Sequence, residues 1–240
     1  MTIGEVLRRS TEHLTARGVE RPRLDAERLL GHALGMERVE LYMHLDRPLT
    51  ASEVDDARAL VVRRASGEPL QYVLGEWGFR RLTLTVDRRA LIPRPETEML
   101  VERCLALLDG APAPRVLDVG TGSGAVALAI ADEHPGARVT AIDVSEQALA
   151  LAGENAKRTG VAVELLCHDL FAGLPGGDWD LVVSNPPYVR EEEIGALVLE
   201  THEGGAAAVS ALLEREGYAA VRTTQDLAGR DRVVEGRRPA

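Results

Sequence analysis

Cysteine is scarce: Cys104 and Cys167 are the only two among 240 residues, far apart and without metal-ligand spacing. That excludes a disulfide framework and a cysteine-built metal centre and fits a reducing compartment, with both thiols expected in the core. Long apolar runs are lacking too. No segment approaches the roughly 18 apolar residues of a membrane span. The N-terminal MTIGEVLRRSTEHL carries charge in every turn, so neither a spanning helix nor a leader is expected and the reading is cytoplasmic. Nor is there an excess of positive charge. The net charge is -10, and no stripe mixes aromatic with basic residues, so affinity built on neutralising many phosphates is excluded and no direct nucleic-acid binding is expected. Basic and acidic side chains balance over the first 85 residues, which leaves the acidity to the remainder and divides the chain in character.

What is present, 45% apolar and 28% charged residues, suits one large globular domain or two modest ones. Ile3, Val6, Leu7 and Leu14 recur at helical spacing behind Thr2 as N-cap, with Gly18 closing the segment. Pro22 opens a second helix with an apolar face of Leu24, Leu29, Leu30, Ala33 and Leu34, and Gly35 ends it. Leu41 and Leu45 mark a short third helix. Thr50 to Glu53 has capping-box spacing before a fourth, stopped by Gly67. These four helices predict a small N-terminal bundle over residues 1–75.

Beyond it the period changes. Leu82, Leu84 and Val86 alternate with threonines, the pattern of a half-buried strand in a hairpin. After LIPRPETEML, a helix is expected from Glu96 to Leu108. Then short apolar strands (residues 115–119, 138–143, 163–166 and 180–184) alternate with helical stretches starting near Gly122 and Ser145. Near-continuous apolar strands separated by helices imply a parallel sheet covered on both faces, so residues 76–240 read as a hairpin linker and a Rossmann-like α/β domain.

DVGTGSGA, residues 118–125, leaves a strand and opens a helix, and there glycines permit a tight turn, close ligand approach and access to helix-end N–H donors. Gly120, Gly122 and Ala125 also satisfy the relaxed dinucleotide fingerprint, so the loop alone does not choose between NAD and S-adenosylmethionine. Asp143, ending the second strand, suits a carboxylate accepting from ribose hydroxyls, which either cofactor offers. Asp169 and Leu170, after the third strand, fall where a loop reaches the same crevice, as acceptor from and flank to an adenine.

SNPPY then follows the fourth strand. Asn185 brings an amide oxygen, and Pro186 and Pro187 stiffen a backbone whose carbonyls lie outside helix or ladder. A planar, delocalised NH2 held by the Asn185 oxygen and the Pro186 carbonyl would have its lone pair aimed at a methyl donor, with Tyr188 against its flat face. Positioning then carries the catalysis.

DVGTGSGAVAL, AIDVSEQAL, HDLF and SNPPYV, with EPLQYVLGEWGF and ALIPRPETE upstream, resemble the release factor glutamine methyltransferases, the PrmC/HemK family. The resemblance implies a methyltransferase dependent on S-adenosylmethionine (SAM), whose helical bundle docks peptide chain release factors and whose crevice methylates the glutamine amide of their GGQ loop. It implies cofactor contacts at Gly120, Thr121, Gly122, Ser123, Gly124, Asp143, Leu170 and Asn185, and glutamine binding by Asn185, Pro186, Pro187 and Tyr188. NPPY alone is shared with methylators of exocyclic amines in nucleic acid, and IPRPETE narrows the resemblance.

One stretch departs from that pattern. Only Tyr188 to Leu197 separate Pro187 from Val198, where the family carries a longer segment with a helix. A parallel crossover ordinarily takes about a dozen residues or more. The departure reads as an internal deletion after Leu197, with VLE the stub of a strand, the sheet beside it uncovered and stability reduced. A true variant with a rebuilt crossover is the competing explanation; for function, the alternatives are an exocyclic-amine nucleic-acid methyltransferase and a release-factor-binding module with impaired catalysis. Downstream, a helix is expected over Ala206–Glu216, and Tyr218–Thr224 with Arg230–Val234 as a closing antiparallel pair.

Overall fold

A computed structural model gives the architecture and describes residues 1–185, 196–201, 204–226 and 228–237. The chain divides into two compact units, Met1–Glu76 and Trp77–Ala240. Among the described residues, no helix is long and apolar enough to cross a membrane.

The first unit is helical. α1 (Ile3–Ala16) is held at its start by a capping box: Glu5 N donates to Thr2 Oγ1, and Thr2 N donates to the Glu5 carboxylate. α2 (Pro22–Leu34) has Pro22 in its first turn and ends at Gly35 in the left-handed conformation. α3 (Arg38–Met43) is short, and α4 (Ala51–Ala65) starts from a second capping box between Thr50 and Glu53. A fifth helix, α5 (Leu70–Leu74), lies in a segment with no helical signal, because five residues are too few to show a period. Ile3, Leu7, Leu14, Leu29, Leu30 and Leu41 form a core drawn from this unit alone.

The second unit opens with a hairpin, β1 (Glu76–Phe79) and β2 (Leu82–Thr85), followed by α6 (Pro95–Leu108). The sheet uses β3 (Arg115–Val119), β4 (Arg138–Asp143), β5 (Glu164–Cys167), β6 (Leu181–Ser184), β7 (Ala196–Glu200), β8 (Ala219–Gln225) and β9 (Asp231–Arg237). Its order is β5-β4-β3-β6-β7-β9-β8. β5, β4, β3, β6 and β7 run parallel, and β9 pairs antiparallel with both β7 and β8. Helices α7 (Ala125–Glu133), α8 (Glu146–Thr159) and α9 (Ala206–Arg215) complete the unit. On one face Leu100, Val101 and Cys104 of α6 and Ala127 and Ile130 of α7 pack with Val116, Val183 and Val198; on the other, Leu213 of α9 joins Trp179, Val182, Leu197 and Val234.

Three expectations need correction. The segment beginning at Leu197 is no stub: β7 has five residues and pairs on both sides, with Leu197 opposite Val182 in β6 and Gly236 in β9. Its apolar side chains are covered, Leu197 being 1% and Val198 0% exposed, because α6 packs on one face and a cluster of Trp179, Val182, Val234 and Leu213 of α9 encloses the other. Cys104 is buried as expected, but Cys167 is exposed, since it ends β5, the edge strand, where the sheet stops.

Candidate active site

β3 and β6 are neighbours, with Val119 opposite Ser184. The glycine loop after β3 and Asn185 after β6 therefore leave the same edge of the sheet side by side. β4 lies on one side of β3 and β6 on the other, so this edge is where the strand order reverses and a crevice opens at the strand carboxyl ends.

The loop is tied down from inside the protein. Gly120 N and Thr121 N donate to the Ile142 carbonyl, Gly124 N to the Thr121 carbonyl and Gly122 N to Asp143 Oδ2 at 2.9 Å. Asp143 Oδ1 accepts from Ser145 N at 2.9 Å. Asp143 thus fastens the turn to the start of α8, and each carboxylate oxygen keeps a lone pair for another donor. Ser123 O and Thr85 O accept from Nδ2 of Asn155, whose Oδ1 accepts from Thr85 N, so this side chain ties the hairpin to the loop. Gly122 has φ 56° with only Ala90 Cβ near its missing side chain, at 3.7 Å. Gly124, at φ 82°, answers a different need: a Cβ there would sit 3.1 Å from Ala152 Cβ and 3.2 Å from Leu128 Cδ1, so its absence lets α7 and α8 close up.

Beneath the loop lies a group that motif reading passed over. Asp118 is 2% exposed and accepts from Thr121 Oγ1 at 2.7 Å and from Ala127 N at 3.2 Å. Burial pushes its pKa up to about 6, against the pull of those two hydrogen bonds and helped by the nearby charge of Asp143. The carboxylate lies under the loop and takes an N–H of the first turn of α7, and four loop N–H groups are engaged internally. A second anion would meet two carboxylates. The donor set fits a cofactor that brings positive charge and ribose hydroxyls, as the sulfonium of SAM does, better than NAD.

Asn185 is exposed, and its Nδ2 donates to Thr97 Oγ1 at 3.1 Å. Thr97, 2% exposed in the first turn of α6, donates to Glu200 Oε2 at 2.7 Å. Burial moves the Glu200 pKa upward, opposed by the Thr97 hydrogen bond. Sequence reading singled out the segment holding Thr97 but gave that residue no role, and it missed Glu200; their only signal was a threonine on the apolar side of a helix start. Asp169 is exposed and Leu170 half-buried in a 3-10 turn after β5, with Leu170 packed partly against the core around Trp179. Gly120, Thr121, Gly122, Ser123, Gly124, Asp143 and Asn185 are brought to one edge of the sheet. Pro186, Pro187 and Tyr188 lie outside the described residues.

Residues 5–75 match the family model of the PrmC N-terminal domain, and residues 96–221 match that of the methyltransferase small domain. The release factor glutamine methyltransferase of Geobacter sulfurreducens is 38% identical over 276 residues, covering 98% of this chain and 96% of its own length. That of Chlorobaculum tepidum is 43% identical over 207 residues, covering 82% of this chain and 70% of its own. The alignment with the Geobacter protein is longer than the 240 residues of this chain, so that relative carries residues with no counterpart here. Among solved structures, a SAM-dependent O-methyltransferase from Thermotoga maritima shares the fold: TM-score 0.52, 15% identity, 64% of this chain and 68% of that one.

Proposed function

Since this chain belongs to the release factor glutamine methyltransferase family, we propose that it transfers a methyl group from SAM to the side-chain amide nitrogen of the glutamine in the GGQ loop of a peptide chain release factor, in the cytoplasm. The observation that carries this reading is Asn185 beside the glycine loop with its NH2 turned to buried Thr97, which leaves the oxygen as the end an incoming N–H can reach.

SAM supplies a methyl group on a sulfonium, which departs as a neutral thioether when a weak nucleophile takes the methyl. The protein's task is to present that nucleophile. An amide nitrogen shares its lone pair with its carbonyl. Accepting one of its hydrogens at Asn185 Oδ1 and the other at the Pro186 carbonyl fixes the plane of the group and adds electron density to the nitrogen. No side-chain base has to act first, because the proton leaves to water once the nitrogen has become cationic. In the same reading Gly120 to Gly124 shape the turn against SAM, Asp143 accepts from its ribose, Asp169 and Leu170 meet its adenine, Tyr188 lies on the glutamine amide, and the helical unit docks the release factor.

The test is incubation with methyl-labelled SAM and purified release factor, followed by mass mapping. Label on the glutamine amide is expected, and Asn185→Ala is expected to slow transfer by about 100- to 1,000-fold while SAM binding persists. Label on any other residue, or an unchanged rate in Asn185→Ala, would overturn the reading.

A further inference from the structure

We infer that Thr97 is a positioning residue for the methyl-accepting site: held by Glu200, it orients the Asn185 side-chain amide so that its oxygen, and not its NH2, meets the incoming group. The inference rests on the proposed function for what that oxygen receives, but not for the orientation itself.

A threonine hydroxyl has one hydrogen to give. Thr97 gives it to Glu200 Oε2 at 2.7 Å, and a carboxylate offers nothing back. Toward Asn185 the Thr97 oxygen can therefore only accept, and of the two ends of the Asn185 amide only Nδ2 can donate. The 3.1 Å contact is thus a directional lock, reached without distinguishing nitrogen from oxygen by shape. Thr97 is 2% exposed, so water is poorly placed to substitute for it. Were the amide to turn over, Thr97 would face an oxygen with no hydrogen left to offer, and the NH2 would face the substrate's own NH2. Both contacts would be lost together.

The geometry joins three distant segments. Thr97 is in the first turn of α6, Asn185 follows β6 and Glu200 ends β7, which pairs with β6. The side chain that accepts from the substrate is set by the strand next to its own.

The test compares wild type, Thr97→Val and Thr97→Ser. In the wild type, side-chain amide hydrogens of Asn185, assigned in nitrogen-15 spectra by their loss in Asn185→Ala, are expected to show a hydrogen-bonded shift and slowed exchange. Thr97→Val, of the same shape without the hydroxyl, is expected to erase that signature and to lower kcat by about 10- to 100-fold, leaving SAM affinity unchanged. Thr97→Ser is expected to restore both. A freely exchanging Asn185 amide in the wild type would overturn the inference even if Thr97→Val fails to fold, and so would an unaltered Asn185 signature in Thr97→Val. Should the wild type leave release factor unmethylated, the proposed function falls, while the spectra still decide whether Thr97 orients Asn185.

Discussion

Asp118, a carboxylate with 2% exposure, holds a hydroxyl of the loop and an N–H of the first turn of α7. Its pKa rises from 3.8 to about 6, so between those values the folded chain keeps a proton that the unfolded chain has lost. The stabilisation is fully present below pH 3.8 and is lost as pH rises to about 6, a change of about 3 kcal/mol. Asp118→Asn cannot ionise, so urea unfolding at pH 4 and at pH 7 should show the variant gaining on the wild type by about that amount, and parallel curves would place the titration elsewhere. At this scale the glycines, Asp143 and Asn185 were legible because each sits in a short contiguous motif. Thr97, Asn155 and Glu200 were not, because their partners lie far along the chain: Thr97 bonds Glu200 across 103 residues and Asn155 bonds Thr85 across 70. Only the folded sheet brings such residues together.

Elements are set by their ends and by what covers them. The starts of α1, α2, α4 and α8 were legible from Thr2, Pro22, Thr50 and Ser145, since a cap acts within three residues of itself. Thr50→Ala, which leaves Glu53 N without its hydroxyl partner, is expected to lower stability by about 1 kcal/mol in thermal unfolding. Coverage was harder to see. The short connection before β7 suggested bare aliphatics, but α9, from further along the chain, packs on that face. Leu197→Ala is therefore expected to cost about 2–5 kcal/mol, the range for a buried leucine, measured by chemical denaturation. A cost below about 1 kcal/mol would return β7 to the surface.

The whole molecule is two units, each with its own core. Helical spacing in the first unit gives way to apolar runs in the second. Residues 1–76, expressed alone, are expected to be helical and to unfold cooperatively with a modest stability of about 3–5 kcal/mol, as circular dichroism during a urea titration would show. The pairing of β7 has a consequence at this scale. Leu197 opposite Val182 fixes which way each side chain of β7 points, and a shift by one residue would exchange Leu197 with Val198 and withdraw Glu200 from Thr97. The ladder therefore works as a detent. For as long as the strand clicks into the same notch, Glu200 meets Thr97 and the Asn185 amide keeps its heading.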